Sequence, residues 1–85
     1  MESLTKTQNR EIRIFPNPAR DHFTVFTEGM GLRSLELISL SGQVIKKMVF
    51  VDRSVKVDIS SFQEGVYFLI IRSSNSVSTG RIMKY

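Results

Sequence analysis

The stretch Asp-Ile-Ser-Ser-Phe-Gln-Glu-Gly-Val-Tyr-Phe-Leu-Ile-Ile, from Asp58 to Ile71, decides how this chain folds. Its second part, Val66 to Ile71, is an unbroken apolar run, rich in β-branched and aromatic side chains and too short for a well-formed helix. Such a run predicts a strand that is buried on both faces. A strand of that kind is central in its domain.

The residues between Asp58 and Gly65 are mostly small or polar and predict a turn, from which Phe62 points one large apolar group inward. Tyr67 lies two residues after Gly65 and five after Phe62. This spacing is similar to that of the tyrosine corner in immunoglobulin-like sandwiches, where the tyrosine hydroxyl bonds to backbone upstream. We therefore predict a tyrosine corner formed by Phe62, Gly65 and Tyr67.

Length and composition indicate one soluble globular domain. The 85 residues, 41% hydrophobic and 24% charged, bury roughly 60–65% of the surface that the unfolded chain exposes. No apolar run approaches the ~20 residues of a transmembrane helix, so direct membrane insertion is not expected. Residues 1–10 also lack the apolar core of a secretory signal.

Charge and cysteine content exclude several classes of function. There is no cysteine, which excludes disulfides, thiolate zinc sites and thiol nucleophiles. The net charge of +4 comes from basic residues that are spread along the chain and interleaved with acids. Nucleic-acid binding is not expected, because it favours a concentrated basic stripe with stacking aromatics.

The N-terminal half alternates between apolar and polar residues over short stretches. We interpret residues 1–10 as a flexible lead and 11–85 as the folded domain. A half-buried strand is predicted from Glu11 to Phe15, and Pro16-Asn17-Pro18 ends it because two prolines remove two backbone donors. A second strand is predicted from His22 to Thr27.

A hairpin is predicted in the middle of the chain. Leu32 to Leu40 reads as a strand with a face change near Leu37 and Ile38, which indicates a bulge or burial on two sides. Ser41-Gly42 has the character of a two-residue turn, with Gly42 supplying a positive φ. The strand from Gln43 to Phe50 should then pair antiparallel with the one before it.

The remaining segments complete an all-β pattern. Val55, Val57 and Ile59 alternate with polar residues, and a last strand runs from Val77 to Tyr85. Its predicted buried groups are Val77, Ile82 and Met83, with a bulge at Gly80. The count of about seven short strands, without any helical period, predicts an immunoglobulin-like β-sandwich of antiparallel strands.

No catalytic or metal site is predicted, and no cofactor is expected. The single histidine, His22, follows Asp21 directly, and neighbours in a strand point to opposite faces, so the two do not form an oriented acid–base pair. The isolated acids in turns lack the spacing of a calcium loop. Asp58 is instead expected to accept backbone hydrogen bonds from Ser60 and Ser61.

Five motifs in order resemble a known family, the type A C-terminal sorting domain of the type IX (Por) secretion system. The resemblance covers Ile12 to Tyr85. Its motifs are Phe-Pro-Asn-Pro-Ala-Arg-Asp at 15–21, Leu-Ser-Gly-Gln-Val at 40–44, Val-Asp-Ile-Ser-Ser-Phe at 57–62, Gly-Val-Tyr-Phe-Leu at 65–69 and a lysine at 84.

The resemblance implies a secretion signal rather than an enzyme. Members sit at the C-terminus of secreted proteins, reach the periplasm through a separate signal peptide, and address their cargo to an outer-membrane translocon. In most members a cell-surface sortase then removes the domain. The implied partners are translocon and sortase proteins, the implied location is the outer membrane or cell surface, and the cleavage point would lie within residues 1–10.

The resemblance also implies site residues. The family's motifs fall on Pro16, Asn17, Pro18, Gly42, Gly65, Tyr67 and Lys84, although many members end on Lys or Arg where this chain continues to Tyr85. Ile82, Met83, Lys84 and Tyr85 are predicted to contact the receptor directly, because a terminal edge strand can be extended by strand addition. Deleting the last residues is then expected to trap cargo in the periplasm while the domain stays folded.

Two other interpretations stay open. The chain could be an uncleaved immunoglobulin-like or fibronectin-like accessory module of a surface enzyme or adhesin, which needs the same sandwich. A homodimer through an edge or swapped strand is compatible with the sorting function.

Overall fold

The protein is described by a computed structural model that covers residues 8–9, 12–28 and 31–85. These residues form eight β-strands and no helix. The strands are β1 Gln8–Asn9, β2 Ile12–Phe15, β3 His22–Thr27, β4 Arg33–Ser39, β5 Val44–Phe50, β6 Ser54–Asp58, β7 Gly65–Arg72 and β8 Ser76–Lys84. The all-β class predicted from the sequence is confirmed.

Two sheets stack to form the sandwich. The larger has the strand order β1-β8-β7-β4-β5, and the smaller has the order β2-β3-β6. Seven strands pair antiparallel, as predicted, while β1 pairs with β8 in parallel. This two-residue strand belongs to the segment expected to be a flexible lead; the rest of residues 1–11 lies outside the described residues.

The core lies between the sheets and is apolar. Its fully buried members are Ala19, Phe23, Val25, Leu35, Leu37, Val57, Ile59, Leu69 and Ile82. The prediction that β7 is buried on both faces is wrong, because a two-layer sandwich covers only one face of a central strand. Tyr67, Leu69 and Ile71 point into the core, whereas Phe68 on the opposite face is 41% exposed.

The last strand alternates without interruption, so the predicted bulge at Gly80 is wrong. The β7–β8 register is regular from the Gly65–Lys84 pair to the Arg72–Val77 pair. A Cβ on Gly80 would lie 2.8 Å from Ile14 Cδ1, so the glycine instead makes room for the opposite sheet. Regular alternation buries Ile82 and turns Met83 outward, which corrects the prediction that Met83 is buried.

The β4–β5 hairpin turns over three residues rather than the predicted two. The Gly42 amide donates to the Ser39 carbonyl (2.9 Å), and the Ser39 amide donates to the Gln43 carbonyl (2.9 Å). This pattern is that of a turn followed by a glycine bulge, and Gly42 has the positive φ of 91° that it requires. The antiparallel pairing is confirmed, as is the irregularity between Leu37 and Ile38.

Candidate recognition site

The proline segment, residues 16–18, lies along the edge of β8. Both prolines follow cis peptide bonds, and all three residues are exposed. The Asn17 side-chain amide donates from Nδ2 to the Arg81 carbonyl (2.8 Å), and its Oδ1 accepts from the Met83 amide (3.1 Å). One asparagine side chain therefore takes the place of a neighbouring strand at this edge.

Ala19 continues the same contact with its backbone. Its amide donates to the Met83 carbonyl (2.8 Å), and its carbonyl accepts from the Tyr85 amide (2.9 Å). Ala19 is fully buried, which suits a small side chain where two backbone segments approach closely. The predicted free edge is therefore wrong for the end of β8, because residues 17–19 already occupy its backbone groups.

Lys84 is turned inward by the alternation of β8. The residue is only 7% exposed, and its ammonium donates a hydrogen bond to the Arg20 carbonyl. The basic group that the family resemblance implies thus anchors the chain just after the proline segment. The Arg20 guanidinium in turn lies over the Tyr85 ring, 5.2 Å from its centroid.

The proposed corner residues lie together at the start of β7. The Tyr67 hydroxyl donates to the Gln63 carbonyl four residues upstream (2.6 Å), and the Phe62 and Tyr67 rings are 5.6 Å apart. Gly65 has φ 146°, a value that favours glycine. The hydroxyl thus satisfies a turn carbonyl while the ring fills the core.

Asp58 organises the turn that precedes this corner. Its Oδ1 accepts from the Ser60 amide (2.9 Å) and the Ser60 hydroxyl (2.7 Å), so both bonds come from Ser60 and not one each from Ser60 and Ser61 as expected. These two hydrogen bonds hold the pKa of the Asp58 carboxyl below its usual value of 3.8, with smaller contributions from the charges of Lys46 and His22.

An open hollow of about 420 Å³ adjoins the proline segment on the outside of the large sheet, lined by Asn17, Pro18, Val66, Arg81 and Met83. It combines two of the segments singled out in the sequence. Arg81 was not singled out, because its exposed side chain reads as one of many solvated basic groups. Its position beside Phe68 follows only from the β7–β8 register.

A second open hollow, of about 510 Å³, surrounds the single histidine and is lined by Asp21, His22, Lys56, Asp58 and Ser60. The Ser60 hydroxyl donates to the Asp58 carboxylate and not to His22. Among the described residues no hydrogen bond joins His22 to a nucleophile, and no group of three acids and histidines could hold a metal ion. This arrangement does not support nucleophilic catalysis.

Residues 8–9, 12–28 and 31–85 contain no helix that could cross a membrane.

Comparison with known proteins supports one family. The family model described as secretion system C-terminal sorting domain matches residues 13–85. The chain is also 27% identical over 81 residues to an endo-acting ulvan lyase of Formosa agariphila. That match covers 89% of this chain and 16% of the lyase, so the chain spans less than a fifth of this relative's length.

Proposed function

Because the chain belongs to the family of secretion system C-terminal sorting domains of the type IX pathway, we propose that it directs a fused cargo protein through the type IX translocon in the outer membrane. A sortase then removes the domain by cutting within residues 1–10 while the cargo is attached to the cell surface. A domain of this family is a sorting signal and not a catalytic unit, and it serves export to the outer membrane or cell surface.

The observation that carries this proposal is the joining of two distant motifs. Asn17 bonds to Arg81 and Met83, which are 64 and 66 residues away in the sequence. Neither motif holds this geometry alone, because each of these hydrogen bonds joins a group of the proline segment to a backbone group of β8. We infer that the translocon recognises a folded surface in the periplasm rather than a linear peptide.

The likeness to the lyase supports a separate cargo. The match covers 16% of that protein, so most of its length lies outside the matched part. A large protein that carries a small sorting domain has this division. The ulvan lyase activity belongs to that relative. For the present chain, the proposal is that the cargo is a protein fused to the domain, and it assigns this cargo no activity.

The proposal is tested by fusing residues 1–85 to a fluorescent reporter that carries a periplasmic signal peptide, in a host with the type IX pathway. We expect surface-exposed reporter, measured by protease accessibility on intact cells. The same fusion in a translocon-deficient strain should stay in the periplasm. Periplasmic retention in both strains would contradict the proposal and favour the accessory-module alternative.

Sortase removal is read from the same cells. The surface-attached reporter should be shorter than the periplasmic form by nearly the whole domain. N-terminal sequencing should show that the released fragment starts at one of residues 1–10. A reporter displayed at full length would leave export intact and contradict cleavage.

A further inference from the structure

The outer face of the large sheet, which points away from the small sheet, carries a continuous apolar patch. We define the patch as Ile38, Val44, Val66, Phe68 and Met83. Its members are cross-strand neighbours, because Ile38 pairs with both Val44 and Phe68, and Val66 pairs with Met83. Val44, Phe68 and Met83 are each more than 40% exposed.

In the row beside the patch, charged side chains flank Ile70 on the same face. Glu36 forms an ion pair with Arg72 (2.9 Å) and a longer one with Lys47 (3.9 Å). The patch therefore lies at the end of the face next to the proline segment, and these charges separate it from the exposed Val49. Contiguous exposed apolar surface of this kind is typical of an interaction site.

A cation borders the patch. Arg81 pairs with Phe68 across β7 and β8, and it lines the 420 Å³ hollow together with Val66 and Met83. Its exposed guanidinium forms no hydrogen bond or ion pair with any residue that the structure describes. The hollow thus has an apolar floor and an unneutralised positive rim.

We propose that the patch and its hollow are the docking surface for a segment of the export machinery that presents an apolar side chain next to a carboxylate. The apolar group enters the hollow over Val66 and Met83, and the carboxylate pairs with Arg81. This inference rests on the proposed function. Strand addition at the end of β8 is not the docking mode, because residues 17–19 already hold that edge.

The reporter fusion tests this surface with paired substitutions. Phe68→Thr should lower surface display at least about tenfold, whereas Val49→Thr, a 64% exposed position on the same face outside the patch, should leave it unchanged. Arg81→Glu should cause a similar loss and Arg81→Lys a smaller one. Arg53→Glu, a charge reversal in the β5–β6 turn, controls for net charge.

The outcomes separate this inference from the proposed function. If the unmodified fusion is not displayed, the proposed function is wrong. If it is displayed and the Phe68→Thr and Arg81→Glu fusions are displayed equally well, the docking surface is wrong. Thermal unfolding of each purified chain by circular dichroism must show an unchanged midpoint, so that a loss of display reports docking rather than folding.

Two other occupants of the patch, a second copy of this chain and a lipid surface, are tested with the purified chain. Sedimentation velocity that shows a dimer of the unmodified chain and a monomer of Phe68→Thr would assign the patch to a second copy. Co-sedimentation with phosphatidylglycerol vesicles that Phe68→Thr abolishes would assign it to a lipid surface. Either result would overturn the proposal, and a monomer without vesicle binding supports it.

Discussion

Among the residues that the structure describes, the Tyr67 hydroxyl makes a single hydrogen bond, to the Gln63 carbonyl, while its ring is largely buried. Tyr67→Phe keeps the ring and removes only the bond, so we expect the free energy of unfolding to fall by about 1 kcal/mol. Urea denaturation measures the change. Tyr85→Phe is the matched control, because Tyr85 is 54% exposed and has no such bond among the described residues; equal losses in the two variants would argue against the corner.

Asn17 acts as donor and acceptor at once, and an aspartate can replace only the acceptor. Asn17→Asp places a carboxylate beside the Arg81 carbonyl, so we expect a loss of about 1–2 kcal/mol and faster hydrogen exchange at the Met83 amide. Asn75→Asp is the control, because Asn75 in the β7–β8 loop accepts from the Ser73 hydroxyl through Oδ1 and donates to no other described residue. Unchanged exchange at Met83 would show that Asn17 does not hold the edge.

Asp58 makes the stability depend on pH. Its pKa is lowered in the folded chain, so its contribution is present above the usual value of 3.8 and is lost as the pH falls through the lower, folded value. Asp58→Asn should therefore be less stable than the parent chain at neutral pH, and this difference in the free energy of unfolding should shrink as the pH falls below 3.8. Urea titrations across this range check it. Asp52→Asn, in another turn, controls for net charge. If its stability difference from the parent chain shrinks in the same way as the pH falls, the pH dependence cannot be assigned to Asp58.

At the level of strands, the two sheets meet most closely where Gly80 of β8 faces β2. Gly80→Ala would bring a methyl group 2.8 Å from Ile14 Cδ1 and 3.2 Å from Ile12 Cδ1. We expect a loss of about 1–2 kcal/mol from overpacking. Ile14→Val deletes the closest methyl group, so Gly80→Ala should cost less in that background. Additive losses in the double-mutant cycle, measured by urea denaturation, would place the strain elsewhere.

The strands themselves were predictable, because period-two alternation acts within each segment. The strand His22–Thr27 was predicted at its observed bounds, and the structure buries its Phe23 and Val25. The predictions that were wrong concern positions whose surroundings are set by the partner sheet. An apolar run such as Val66–Ile71 reads alike whether one or both faces are covered, and a glycine such as Gly80 reads alike whether it bends a strand or admits a neighbour.

The candidate site was predictable as two separate motifs but not as one surface. The proline segment and the last strand were each singled out in the sequence. Their contact depends on a side chain, Asn17, that imitates a strand across a separation of 64 residues, and no local pattern encodes such a pairing. The inward turn of Lys84 was not predicted, because burying both Ile82 and Met83 left the face of the next residue undefined.

At the level of the whole molecule, the last residues belong to the fold as well as to the signal. Ile82 is fully buried, Lys84 anchors the Arg20 carbonyl, and the backbone of residues 83–85 pairs with residues 17–19. Deleting residues 82–85 should therefore lower the free energy of unfolding by about 4 kcal/mol or more, through the lost side-chain burial and several hydrogen bonds.

That loss approaches the whole stability of a small domain, which is about 5–15 kcal/mol. A truncated fusion that fails to reach the surface would then report unfolding as much as lost recognition, contrary to the expectation that the shortened domain stays folded. Urea denaturation of chains ending at residues 81 and 84 measures this, and an unchanged midpoint for the shorter chain would contradict it. Met83→Thr is the sharper probe of recognition, because this outward side chain can change while Ile82 and the paired backbone stay in place.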